Sequence, residues 1–159
     1  MNSDAVKIRQ AKTGDLPEIV ALFENTIFTV CAKDYSQEQQ TAWAAGAQNT
    51  GRWQKKLETQ YFLVARAEET IVGFASLEDN YIDFLFVHKD FQGRGIAKQL
   101  FEALLQKAIE TNVEILTSNV SLTARPFFEK MGFVVIQKQD NPTRGVNLTN
   151  FRMVKNMKN

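Results

Sequence analysis

Cysteine and histidine are nearly missing from this sequence, with one of each among 159 residues. A single Cys31 cannot close an intrachain disulfide, so no oxidising compartment is implied. With one thiol and one imidazole, the His/Cys sets that hold zinc cannot be assembled, and no metal site is expected. Cys31 itself, between Val30 and Ala32, reads as core packing more readily than as a thioester nucleophile. No apolar run approaches the roughly 18 residues of a membrane span, and the opening segment MNSDAVKIRQ lacks the apolar stretch of a secretory signal. The expected location is therefore a reducing cytoplasm, with no membrane contact. Charge of one sign is not in excess either. Nineteen Lys and Arg stand against eighteen Asp and Glu, a formal net charge of +1, which argues against a broad nucleic-acid surface but leaves a local basic pocket open.

The chain that remains is 44% apolar and of the size of one globular domain, able to bury a core without disulfides or metals. Residues 1–159 are expected to form a single domain, with no repeat, low-complexity tract or long linker. Val6 to Arg9 reads as a strand, and Thr13 ahead of Gly14-Asp15-Leu16-Pro17 as the cap of a helix. That helix carries Ile19, Leu22, Phe23, Thr26, Ile27 and Val30 at the three-and-four spacing of one buried face. Ser36 to Gln39 fits a capping box and opens a second helix through Trp43. Asn49-Thr50-Gly51 interrupts it before a short helical piece with Trp53. Tyr61 to Arg66, Thr70 to Leu77 and Tyr81 to Val87 read as a three-strand meander. Ile96 to Ile109 is an amphipathic helix, followed by a strand over Val113 to Val120, a helix over Leu122 to Met131, and strands over Phe133 to Gln139 and Val146 to Met153. This order predicts an α/β fold with a mixed, mostly antiparallel central sheet flanked by helices.

One run carries chemistry. Phe84 to Val87 is an apolar strand that leads through His88-Lys89-Asp90-Phe91 into Gln92-Gly93-Arg94-Gly95-Ile96-Ala97 and a long helix. A helix start of this kind binds anions, because its first amides lack partners and the helix dipole places positive charge there. Gly93 and Gly95 let the backbone approach an anion, and Arg94 adds a charged donor. No Gly-Lys-Ser/Thr follows, so this is not a Walker loop, and the spacing breaks at Lys98 for a dinucleotide fingerprint.

The loop Gln92 to Ala97 resembles the Q/R-x-x-G-x-G/A loop of the GNAT superfamily, whose successive amides hold the pyrophosphate of acetyl-CoA. Ile82 to Val87 looks like that family's bulged fourth strand, which pairs with the pantetheine arm, and Ala124-Arg125-Pro126-Phe127-Phe128-Glu129-Lys130-Met131-Gly132-Phe133 resembles its late A-x-x-x-Y-x-x-x-G-F segment. Asp34-Tyr35-Ser36, Ala42-Trp43 and Arg144-Gly145-Val146 look like segments of a bacterial YafP-like subgroup. The resemblance implies a GNAT-type acyl-CoA N-acyltransferase fold and an acetyl-CoA-dependent N-acetyltransferase, acting on a primary amine of a small molecule or peptide. It assigns Leu85, Phe86, Val87, Gln92, Gly93, Arg94, Gly95, Ile96, Ala97, Asn119 and Phe128 to the cofactor.

Transfer from a thioester to an amine requires a neutral amine, a polarised carbonyl and a stabilised leaving thiolate. The family supplies the last through a tyrosine, and here that position is Phe128, which has no proton to give. Tyr35, Tyr81 or Ser121 are the candidate replacements, with water as a further source; Ser121 also reads as a helix cap. Strict alternation along the fourth strand groups Tyr81, Asp83, Leu85 and Val87 on one face and Ile82, Phe84 and Phe86 on the other. Asp83, a carboxylate in an apolar strand, is either a solvated residue or the base that takes the amine proton. His88 reads as an exposed loop residue before it reads as a base. Thr26, Tyr35, Trp43, Trp53 and Phe151 are candidates for an aromatic acceptor pocket or for plain core. A noncatalytic acyl-CoA-binding module is the competing expectation, since Phe128 permits it, and the apolar last strand offers an edge for a homodimer.

Overall fold

A computed structural model describes residues 5–158; residues 1–4, part of the opening segment read above, and Asn159 lie outside the described residues. In chain order the elements are β1 (Lys7–Gln10), α1 (Leu16–Thr29), α2 (Gln37–Ala44), α3 (Thr50–Thr59), β2 (Tyr61–Ala67), β3 (Thr70–Glu78), β4 (Tyr81–Val87), α4 (Ile96–Glu110), β5 (Ile115–Ser121), α5 (Arg125–Lys130), β6 (Val134–Thr143) and β7 (Val146–Asn156). The strands form one sheet in the order β1-β2-β3-β4-β5-β7-β6. Every pairing is antiparallel except β4 with β5, which is parallel. The expected α/β architecture, mixed and mostly antiparallel, is the one the chain adopts.

Local chemistry accounts for the helix starts. At α2 the Ser36 hydroxyl accepts from the Gln39 amide at 3.1 Å while the Gln39 side-chain carbonyl accepts from the Ser36 amide at 2.8 Å, the reciprocal pair that the sequence predicts. At α1 the expected Thr13 cap is not used. Thr13–Asp15 forms a single 3-10 turn, and the Asp15 carboxylate instead accepts from the Lys12 amide at 2.8 Å and holds Arg9 through two bonds at 2.8 and 3.0 Å. A carboxylate accepts charge-assisted bonds that a hydroxyl cannot match, so Asp15 takes the position. α3 is also longer than the short piece expected, because Asn49 caps it by accepting from the Arg52 amide at 3.2 Å.

The sheet is buried on both faces by different helices. α4 packs one face, joining Ile96, Leu100, Leu104 and Ala108 to Val72, Ala75, Leu116 and Met153. α1 and α3 cover the other, where Ile19, Phe23, Ile27 and Trp53 meet Phe62, Val64 and Phe74. Gly73 of β3 sets how close α4 comes: a Cβ there would meet the Phe86 carbonyl oxygen at 3.0 Å and a Leu100 methyl at 3.1 Å. The β6–β7 hairpin extends past its predicted ends and closes through Arg144-Gly145, both at positive φ (50° and 80°), the two-residue turn whose twist suits a hairpin. Because β7 lies between β5 and β6, both of its edges are already paired; the expectation that the last strand offers an edge to a partner is corrected, and the free edges belong to β1 and β6. Among the described residues no helix is long and apolar enough to cross a membrane.

Candidate active site

The parallel pair β4–β5 is in register over two residues only, Tyr81 with Thr117 and Ile82 with Ser118. Beyond them the strands part, and Phe84 to Val87 keep a strand partner on the β3 side alone. An edge of this kind presents unpaired amides and carbonyls, so it is open to an extended ligand that pairs with it. A cavity of about 790 Å³ fills the split and continues onto the α1–α3 face of the sheet.

β4 is bulged at Asp83: Phe84 faces Ser76 and Ile82 faces Leu77, so Asp83 is the extra residue. The bulge overturns the strict alternation expected from the sequence. Ile82 joins Leu85 and Val87 on the α4 face, while Phe84 and Phe86 pack into the α1–α3 core and Asp83 turns toward α3. There its Oδ2 accepts from Lys56 Nζ at 2.5 Å and from Gln60 Nε2 at 2.9 Å, which leaves Oδ1 without a protein donor in those contacts. Lys56 also lies over the Phe84 ring at 4.9 Å. Sequence reading missed Lys56 and Gln60. The signal was spacing, since both share with buried Trp53 a helix face at steps of three and four.

At the far end of β4 the chain turns through Lys89–Phe91 into the glycine loop. Gly93 and Gly95 have φ of 74° and 80°, and no atom would contact a Cβ at either, so the loop surface is open as well as left-handed. No side chain caps α4, whose first-turn amides face the cavity with Gln92, Gly93, Gly95, Ile96 and Ala97 on its wall. The Gln92 side chain fixes the loop to its strand by donating to the Val87 carbonyl at 2.6 Å. Arg94 stacks on Phe91 at 4.8 Å and is not part of the cavity wall. Lys98 and Lys130 do line it. The His88 imidazole accepts from the Asp90 amide at 3.0 Å, so it serves the turn, and Ser121 accepts from the Ala124 amide at 3.0 Å, holding the turn that shortens α5.

Phe128 is 3% exposed, lines the cavity and packs edge-on against Phe133 at 5.0 Å. Of the hydroxyls, Tyr35 donates to the Thr149 carbonyl at 2.7 Å and accepts from the Leu122 amide at 2.9 Å; burial, the largest cause, pushes its pKa up to about 12. Tyr81 stands where the strands begin to part. Burial first and the Asp83 charge second raise its pKa, against hydrogen bonding from Asn119. Both forces keep the phenol protonated at neutral pH. Cys31 is buried, and burial raises its thiol pKa, the reverse of an activated nucleophile. Among the described residues no group of three or more metal-ligating side chains gathers. Thr26, Tyr35, Trp43 and Trp53 line the α1–α3 part of the cavity; Phe151 belongs to the α4-side core.

Residues 31–155 match the family model described as the Acetyltransferase (GNAT) domain. The chain is 35% identical over 148 residues to the "Uncharacterized N-acetyltransferase YafP" of Escherichia coli K12, covering 93% of this chain and 94% of that protein. A crystal structure of a GCN5-related N-acetyltransferase from Rhodopseudomonas palustris superposes with a TM-score of 0.91 at 36% identity, covering 94% of each chain. The PaiA N-acetyltransferase from Thermoplasma acidophilum, solved in complex with coenzyme A, shares the fold at 20% identity with a TM-score of 0.79, covering 96% of this chain and 99% of that one.

Proposed function

Since the chain belongs to the GNAT acetyltransferase family, we propose that it transfers an acetyl group from acetyl-CoA to a primary amine of a small molecule or peptide by direct attack. The observation that carries this reading is the continuity of one cavity from the open glycine loop, along the unpaired edge of β4, to the aromatic face beneath α1 and α3. The residues fit the co-substrate. Amides of Gln92 to Ala97 would take the pyrophosphate, with Lys98 beside them and Lys130 on the same cavity, and the free edge of β4 would pair with the pantetheine arm. Acetyl-CoA supplies the acyl group and a thiolate leaving group whose free pKa is about 8.5.

The chain's own groups do the rest. Asp83, fixed by Lys56 and Gln60 through one oxygen, presents the other as the acceptor for the amine proton, directly or through water. The backbone amide of Val87, which points away from β3, orients the thioester carbonyl. Tyr81 supplies the proton that Phe128 cannot, since its phenol stays protonated beside Asp83, whereas the proton of Tyr35 is already engaged by Thr149. No covalent enzyme intermediate is needed when amine and thioester are held together.

Calorimetric titration with acetyl-CoA tests this, using the wild type beside the Gly93→Glu/Gly95→Glu double variant, which puts strained side chains and negative charge in the loop. Saturable wild-type binding that the folded variant loses is the expected result, and it opens the screen of amines for thiol release. Absence of wild-type binding overturns the reading.

A further inference from the structure

The charges around the cavity are lopsided. Among the described residues Asp83 is the one carboxylate side chain on its wall, against Arg52, Lys56, Lys98, Lys130 and Arg144, and Asp83 is already paired with Lys56. Lys98, in the first turn of α4, adjoins the glycine loop, where the phosphates of a coenzyme A would meet it, and Lys130 ends α5 on the same cavity. Arg52 and Arg144 do not adjoin that loop. Arg52 comes from the first turn of α3, and Arg144 from the β6–β7 turn, whose guanidinium Nη1 donates to the Ala42 carbonyl of α2 at 2.9 Å. Both therefore belong to the α1–α3 side. Neither forms an ion pair among the described residues. Arg144 also holds a left-handed backbone, φ 50°, at a turn position that Asn or Gly fills with less strain. The same lobe is lined by the rings of Phe23, Trp43, Trp53 and Phe86.

We propose that the amine acceptor carries a second, oxyanionic group on an aromatic or bulky apolar body, with Arg52 and Arg144 holding the oxyanion. The inference rests on the assignment of this lobe to the acceptor. The apolar body lies against the aromatic wall, and the amine end meets the free oxygen of Asp83. Guanidinium groups recognise carboxylates and phosphates through parallel bonds, and two of them on one cavity wall select against the uncharged analogue.

Trp43 and Trp53 report directly, because both line the lobe. Their fluorescence is titrated with 3-phenylpropionate, 2-phenylethylphosphonate and 3-phenylpropanamide, with coenzyme A present to occupy the phosphate loop. The expected result is at least tenfold tighter binding of one oxyanion than of the amide, and which oxyanion binds better distinguishes a carboxylate from a phosphate-like acceptor. In the Arg52→Met/Arg144→Asn variant that preference falls below twofold. Asn suits the left-handed turn and Met suits the helix, so the variant keeps its fold. Equal affinity for acid and amide, no binding of any probe, or a preference that survives the double substitution overturns the inference. Calorimetry with coenzyme A on the same samples separates the two levels: retained binding without oxyanion preference sinks the acceptor assignment alone, whereas lost binding sinks the acetyltransferase reading under it.

Discussion

The Tyr35 hydroxyl ties two segments far apart in sequence, giving its proton to Thr149 of β7 and receiving the Leu122 amide just past β5. Tyr35→Phe strands both backbone groups, so it is expected to cost about 1–3 kcal/mol of stability. The pH dependence follows from the raised pKa. A phenol with a folded pKa of about 12 and an ordinary value near 10 favours the folded state fully below pH 10, and that contribution fades as pH climbs toward 12. The whole contribution is on the order of 3 kcal/mol. Denaturant melts between pH 8 and 12 should show the wild type losing stability over that window and Tyr35→Phe losing less, with acetyl transfer at pH 8 kept within a few-fold. A collapse of turnover in a still-folded Tyr35→Phe protein would reassign the proton donor from Tyr81 to Tyr35. Sequence alone left the two tyrosines equivalent, because what separates them is the tertiary location of their hydroxyls.

At the scale of the element, β4 carries the argument. Its ends, Tyr81 and Val87, are legible from apolar content and from the turns around it, and the loop after it is legible from glycine spacing. Which side chains face which way is not, since the bulge at Asp83 is set by register against β3, and one inserted residue moves every position beyond it to the opposite face. The same shift carries Asp83 to α3, where Lys56 and Gln60 wait on the face that Trp53 buries. Asp83→Asn keeps the shape and the Gln60 contact side but removes the proton acceptor. We expect kcat to fall by about 10²-fold or more, with the KM for acetyl-CoA unchanged, because the phosphate loop lies at the other end of the strand. Steady-state kinetics with both substrates varied decides it: a rise in the acetyl-CoA KM with kcat intact would give Asp83 a structural role only.

For the whole molecule, the two apolar clusters explain why hydrophobic spacing revealed so much of the fold. α1 and α4 each bury a stripe on opposite faces of one sheet, so both stripes appear in the sequence at helical spacing. The split between β4 and β5 left no such trace. It opens where β4 bulges at Asp83, and only the resemblance of Ile82 to Val87 to the family's ligand-pairing strand pointed to it. A cleft of this kind should behave as a single binding unit that joins the two halves of the sheet. Ligand that binds the folded state alone stabilises it by about 2.7 kcal/mol at a hundred times its Kd, which for a chain of this length corresponds to a rise in Tm of about 5–10 °C. Calorimetric melts with acetyl-CoA are expected to show that rise in the wild type and none in Gly93→Glu/Gly95→Glu. Because β4 and β5 are otherwise joined at two residues, the ligand should also slow amide exchange on both strands, from Asp83 to Val87 and from Asn119 to Ser121. Protection confined to the glycine loop would mean that phosphate binding does not extend into the split, and that the pantetheine arm lies elsewhere.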